Sequence, residues 1–205
     1  MRLTINFPFV RLLAIAAVSA LPAVSLAQAA PVQQDAPRPE LAFGYTYVHS
    51  NVPPGGCGCF SLNGGSATFT WPLKSGRFAV AGDIDVVHAG AASITGDSLT
   101  LSTYTAGGRY RPNAGHSVWQ PFAQVLIGLA HSSGTLVQGS NPGSANAGAA
   151  FATNVGGGLD LRASSKIAIR LVEADYLLTT IDNGSNNHQN SFRIGAGIVF
   201  RLGNR

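Results

Sequence analysis

His131 and Ser133 are the two side chains whose spacing most directly suggests catalysis. They stand two residues apart, so on a β-strand they would share one face, where a histidine base could reach a serine nucleophile. Such a pair also needs an acid that orients the histidine, and the nearest downstream acidic residue is Asp160. We therefore interpret His131 as a histidine of a Gly/Ser-rich segment and predict no catalytic residue.

A second candidate site consists of charged side chains that stand in or beside otherwise apolar segments. Charges that are buried away from water must be paired or neutralised. The sequence therefore predicts an interior salt-bridge network, and the alternative is a narrow ion or small-solute path along the same charges. Six acidic and five basic residues make up this set: Glu40, Arg77, Asp83, Asp85, Asp160, Lys166, Arg170, Glu173, Asp175, Arg193 and Arg201.

Both cysteines, Cys57 and Cys59, lie in one Cys-Gly-Cys triplet. A disulfide between them is our first interpretation, although it would close a small and strained ring. Free or intermolecular thiols come second and a metal site third, since no other histidine or cysteine lies nearby. The surrounding segment 51–60 contains Pro53-Pro54-Gly55-Gly56, which favours turns, and it is a candidate loop for an external ligand. A merely rigid loop is the favoured alternative.

The elements that must position these residues show strand periodicity. From Glu40 to His49 the odd positions are apolar or aromatic and the even ones are mostly small or polar. From Ser191 to Leu202 the even positions are all apolar. The stretch Ile167 to Leu178 keeps the alternation only with one extra residue, which predicts a β-bulge near Val172. Further strands are predicted at 66–72, 78–86, 99–110, around 123–129 and at 151–161.

Composition gives the reason to place these strands in a membrane. Only 11% of the residues are charged, against roughly 25% in soluble domains, yet after the N-terminus no apolar run is long enough for a spanning helix. Eight strands, an even number, are joined by alternately short and long connections. The sequence therefore predicts an all-β fold, a transmembrane antiparallel up-and-down β-barrel of eight strands. Its girdle aromatics would be Tyr45, Tyr47, Trp71, Trp119 and Tyr176.

The N-terminal residues predict that the protein is exported. Arg2 and Arg11 precede or flank an apolar core and small-residue cleavage sites follow, so residues 1–29 are expected to be a signal peptide. Residues 30–39 are rich in proline and are expected to be a linker, and the barrel would occupy 40–205.

No clustered basic face is present, so nucleic acid is not an expected partner. The remaining histidines, His49, His88, His116 and His188, are interpreted as interfacial or loop residues.

The chain resembles the OmpA-like and OmpX-like outer-membrane barrels, grouped as the porin-family outer membrane β-barrel domain. The resemblance rests on Gly156–Asp160, Arg170–Leu178 and Arg193–Gly203. It implies an outer-membrane location, contact with outer membrane lipids, insertion by the barrel assembly machinery, no cofactor and no metal. One departure is that the family usually ends on an aromatic residue, whereas here Phe200 is followed by five further residues.

The expected function is that of a structural or surface-interaction protein with a plugged lumen, and a narrow pore is the alternative. A lipid A-modifying hydrolase is a further alternative, because His131-Ser132-Ser133 resembles the His-x-Ser pair of barrels that deacylate lipid A. In that comparison Ser144 stands where an acidic residue is expected.

Overall fold

The computed structural model describes residues 37–50, 60–90, 98–113, 117–134, 149–181 and 188–203. Each strand pairs antiparallel with its neighbours in sequence, and β1 pairs with β8, so the sheet closes and has no free edge. The predicted eight-stranded fold is confirmed. The strands are β1 (Glu40–Ser50), β2 (Phe60–Pro72), β3 (Phe78–Ala89), β4 (Leu99–Tyr110), β5 (Trp119–Ser133), β6 (Ala150–Arg162), β7 (Ile167–Thr179) and β8 (Gln189–Arg201).

The two ends of the barrel differ in their connections. One end, here called the short-turn end, carries the connections 73–77, 111–118 and 163–166 together with the start of β1 and the end of β8. The opposite end carries the connections 51–59, 90–98, 134–149 and 180–188 and is called the long-connection end. Within the described ranges no helix is long and apolar enough to cross a bilayer.

Strand β2 begins six residues earlier than the alternation predicted. The segment Asn63-Gly64-Gly65 lacks the apolar side chains that reveal a strand in a sequence. A Cβ on Gly64 would lie 1.9 Å from the backbone oxygen of Val86 on β3, so glycine permits the close approach of these two strands. Gly64 therefore interrupts the alternation that would have predicted this part of β2, and it also allows β2 to pack closely against β3.

The predicted bulge in β7 is confirmed. Arg170 pairs with Gly197 of β8 and Glu173 pairs with Gly195, so two residues of β7 stand where β8 has one. The extra residue leaves Leu171 and Val172 both exposed on the outer surface. It thereby returns Glu173 to the interior, on the same side of the sheet as Arg170.

Polarity is inverted relative to a soluble protein. Every outward-facing strand position among the described residues is neutral or histidine, with no Asp, Glu, Lys or Arg. Large apolar side chains such as Phe43, Val80, Val125, Ile127 and Phe192 are about half exposed. The inward positions carry the buried acids, arginines and glutamines. A surface of this kind is suited to hydrocarbon rather than to water.

The stagger of the strands sets their tilt. Following register partners from Glu40 around the barrel leads back to β1 at Ser50, ten residues further on, through Thr70, Ala81, Gly107, Leu126, Asn154, Leu177 and Ser191. Eight strands with this stagger are inclined by roughly 40° to the barrel axis. Residues that pair directly in the sheet therefore do not lie at the same height, which is the position along the barrel axis. Each step from a residue to its register partner on the next strand, going from β1 towards β8, moves the position towards the long-connection end by about 1.25 residues.

Candidate functional site

Charged side chains fill the barrel interior in layers, beginning at the short-turn end. Arg111 reaches both Glu40, at 2.6 Å, and Asp160, at 3.0 Å. Arg201 binds the other oxygen of Glu40 at 3.3 Å and donates to Gln120. These groups join the two terminal strands to the opposite wall of the barrel, because Glu40 belongs to β1 and Asp160 to β6.

The middle layer is organised around Phe122, an aromatic ring inside the lumen. The guanidinium carbon of Arg109 lies 4.3 Å from the ring centre and that of Arg170 lies 4.7 Å from it. Arg170 also binds Asp160 at 2.9 Å and Glu173 at 2.5 Å. The ring therefore lets two cations approach each other with attraction from its π-electrons, while the carboxylates neutralise their charge.

The third layer is built on Arg193, whose side chain is 2% exposed. Its guanidinium bridges four carboxylates on two facing walls. The nitrogen Nη1 contacts Glu173 and Asp175 of β7 at 3.1 and 2.8 Å, and Nη2 contacts Asp83 and Asp85 of β3 at 3.3 and 3.1 Å. A planar guanidinium with several fixed donors suits this bridging role, which an ammonium group could not fill in the same geometry.

Neutral polar groups complete the network. Thr68 donates to Asp83 at 2.6 Å and Thr46 to Asp85 at 3.2 Å. Gln124 accepts from Arg109 and donates to Glu173 and Asp175, so it links the middle layer to the third. With these residues every strand contributes to one continuous interior network.

The charges are separated along the axis. The four carboxylates around Arg193 give that layer an excess of negative charge. Nearer the short-turn end, the four arginines 109, 111, 170 and 201 outnumber the two acids Glu40 and Asp160. The two excesses attract each other across a poorly hydrated interior, which adds to the pairwise contacts.

A small cavity lies within the charged part of the lumen. A cavity of about 10 Å³ lies among Ser66, Thr68, Arg170, Glu173 and Arg193, which is roughly the room of a single water molecule. Towards the long-connection end the described interior is apolar, and there Leu62, Leu177, Val48 and Val87 are almost fully buried. Among the described residues no cluster of acids, histidines or cysteines could hold a metal ion.

The structure places nine of the eleven predicted charged residues inside the barrel. The placement of Arg77 and Lys166 was wrong, since both are exposed. They belong to the short connections before β3 and β7, outside the alternating part of the strands, where a long cation reaches water. Arg109 and Arg111 are buried instead, and the sequence prediction missed them. The alternation of β4, which puts Leu101, Thr103 and Thr105 inward, extends to both arginines and could have revealed them.

The catalytic pair is not assembled. His131 and Ser133 both face outward from β5, as their spacing predicts, but no hydrogen bond joins them within the described structure, nor does a carboxylate orient the histidine there. The predicted disulfide of Cys57 and Cys59 lies outside the described residues, and so does the loop 51–60 except for Phe60, which is the first residue of β2.

Comparisons with known proteins identify the fold. No protein-family model and no curated protein matches the sequence. Neisserial surface protein A (NspA) matches with a TM-score of 0.57 and 13% identity, over 80% of this chain and 97% of its own. This chain has the fold of the small outer-membrane β-barrels. Ail of Yersinia pestis (TM-score 0.49, 15% identity, 80% and 99% covered) and the N-terminal β-barrel domain of Pseudomonas aeruginosa OprF (TM-score 0.46, 14% identity, 82% and 100% covered) are further solved structures that match.

The fold and the exterior agree on an outer-membrane location. The uncharged belt provides the surface that acyl chains require, and the resemblance to OmpA-like and OmpX-like barrels is confirmed as a likeness of fold. In such barrels short turns lie in the periplasm and longer loops outside the cell. This rule predicts a periplasmic short-turn end and an external long-connection end.

Proposed function

We propose that this protein is a non-conducting outer-membrane barrel with a structural or surface-interaction role and no enzymatic activity. The observation that carries the proposal is the network of buried charges inside the barrel. Five arginines and six carboxylates lie inside the barrel, from the short-turn end to its middle, and an apolar layer lies between them and the external end. An ion that crossed this interior would have to break buried ion pairs and enter an apolar constriction, and both steps are costly.

A planar-bilayer experiment tests this proposal. Purified protein is first shown to be folded by a heat-dependent shift in gel mobility, and it is then inserted beside a known porin as a positive control. We expect the porin to give unitary current steps and this protein to give none. Reproducible steps that change in the variant Leu177→Gly, which opens the apolar layer, would overturn the proposal in favour of a narrow pore.

The long external connections support the surface-interaction part of the proposal. Binding residues are often placed in loops on a rigid scaffold, and the segment 51–60 with Cys57 and Cys59 is the proposed recognition loop. A test compares cells that display the full chain with cells that display a version whose 51–59 segment is replaced by a short turn. Loss of adhesion to matrix-coated surfaces, with the folded barrel retained, supports recognition. Unchanged adhesion leaves a structural role in the barrel itself.

Export and assembly complete the proposal. We propose that residues 1–29 direct secretion and that the barrel assembly machinery inserts the barrel among outer membrane lipids. N-terminal sequencing of protein from the outer-membrane fraction tests the first point, with Ala30 expected as the new terminus and Gln28 as the result of cleavage at the other small-residue site. Accumulation of unfolded protein in the periplasm after depletion of the assembly machinery tests the second.

A further inference from the structure

Three histidines face outward near the external ends of alternate strands. His49 lies on β1, His88 on β3 and His131 on β5. Each is directed away from the lumen, so the interior network does not use it. Their position relative to the membrane follows from the strand registers.

The three histidines lie at nearly the same height. The register partner of His88 on β1, reached through Asn63, is Tyr47. That of His131, reached through three strands, is Tyr45. Because partners rise by about 1.25 residues per strand, His88 stands about 2.5 residues above Tyr47 and His131 about five above Tyr45. All three therefore lie within about one residue of the height of His49.

The same step of 1.25 residues per strand gives the distance of the three histidines from the periplasmic boundary of the membrane. Trp71, Tyr110 and Phe200 face outward at about the height of Glu40, and they form an aromatic girdle there. The histidines stand between nine and ten residues higher along the tilted strands, which corresponds to about 24 Å along the barrel axis. Outer-membrane barrels carry an apolar band about 25 Å tall, so the histidines lie where external headgroups begin.

Hydrogen-bonding side chains surround the histidines on the same outer surface. Nδ1 of His49 lies 3.3 Å from Oγ of Ser61, and Nδ1 of His88 lies 2.9 Å from Oγ1 of Thr100. The direct partner of His131 is Ser102. When Nδ1 accepts a hydroxyl proton, Nε2 carries the hydrogen and can donate to a group outside the barrel. No carboxylate occupies an outward position on the described strands, so nothing there repels an anion.

We propose that this surface, the histidine rim of His49, His88 and His131 on β1 to β5, binds the phosphate groups of outer-leaflet lipids. The rim supplies donors at headgroup height, and acyl chains of the same lipid would lie on the apolar belt beneath it. On β6 and β7 the same height is occupied by Phe151 and Leu178, so bound phosphates would gather on one side of the barrel. This goes beyond the proposed function, because a plugged barrel needs no headgroup preference.

The test measures lipid retention by native mass spectrometry. Full-length mature protein is delipidated, then equilibrated in micelles that contain phosphatidylcholine and diphosphorylated lipid A, or phosphatidylcholine and the same lipid A with its phosphates removed. We expect the wild type to retain the diphosphorylated form preferentially. The variant H49F/H88F/H131F keeps an aromatic ring at each position but removes the N–H donors. It should lose that preference roughly tenfold, since one net hydrogen bond to a charged group is of this size.

A matched control removes charge from the other end of the barrel. The variant K74Q/R77Q/K166Q takes three exposed cations from the periplasmic turns and should retain lipid A as the wild type does. The proposal is overturned by equal retention in the histidine variant, by an equal loss in the control, or by a wild type with no preference for phosphates. Gel mobility before and after heating shows in each sample whether the barrel is folded, so a failure of the fold is recognised separately.

Discussion

Replacing Arg193 by methionine should strongly destabilise the barrel, because one guanidinium is in contact with four buried carboxylates. Glu173 would keep its contact with Arg170, but Asp83, Asp85 and Asp175 would lose the cation that the structure places on them. Methionine keeps an unbranched apolar stem, so the change removes mainly the guanidinium with its charge and its hydrogen bonds. Three buried carboxylates without a cation are left near one another.

The expected size follows from this geometry. Breaking a buried ion pair by removing one partner costs about 3–5 kcal/mol. The threonines and Gln124 still donate to the carboxylates, which keeps the loss within that range rather than multiplying it by the number of contacts. A loss of this size is a large part of the 5–15 kcal/mol that typically separates folded from unfolded proteins.

Equilibrium urea unfolding in lipid vesicles, followed by the fluorescence of Trp71 and Trp119, measures the change. The control is Arg77→Met, which removes an exposed cation and should alter the free energy of unfolding by no more than about 0.5 kcal/mol. If the Arg193 and Arg77 variants unfolded at the same urea concentration, the interior network would not stabilise this barrel, and the reasoning would be refuted.

A second variant separates charge from packing. Asp85→Asn in the Arg193→Met background removes one of the uncompensated carboxylates, so it should recover part of the lost stability. In the wild-type background the same substitution should be destabilising, because it weakens a contact that Arg193 makes at 3.1 Å. A double-mutant cycle of these two positions should therefore give a coupling of about 1–3 kcal/mol. Simple additivity would contradict a direct interaction.

Three further predictions concern the wall of the barrel. Val125→Lys places a cation at mid-height on the outer belt and should lower the free energy of urea unfolding by about 2–4 kcal/mol. Ser133→Lys, on the same strand near the external rim, should lower it by only about 0–1 kcal/mol. Equal losses in the two variants would contradict the position of the barrel in the membrane. Deletion of Val172 removes the extra residue of the bulge and restores simple alternation, so the protein should still show a heat-dependent gel shift. Deletion of Ala174 should abolish that shift, because an acidic side chain of β7 must then face lipid. Gly158→Ala puts a Cβ 2.4 Å from a backbone oxygen and should lower the unfolding free energy by about 1–3 kcal/mol; a neutral result would mean that β6 and β7 move apart freely.

How far the sequence predicts the site depends on how regular each strand is. Asp83 and Asp85 alternate with apolar residues over a long run, and their inward orientation followed from the pattern. Arg109 was missed because β4 has threonines and glycines rather than a clear apolar face. Arg77 and Lys166 were misplaced because alternation was extended beyond the strands into turns, where the backbone no longer fixes the side.

The sequence by itself determined the class of fold, the number of strands and the bulge at Val172. These features depend on the local alternation of side chains between two faces, and a low charge content makes one of those faces suited to lipid. Only the tertiary structure decided which charges meet. Arg193 is joined to Asp85 across 108 positions of the chain, and the alignment of the three histidines depends on the stagger of the closed sheet. Partners inside a barrel are set by closure and tilt, which are properties of all eight strands together.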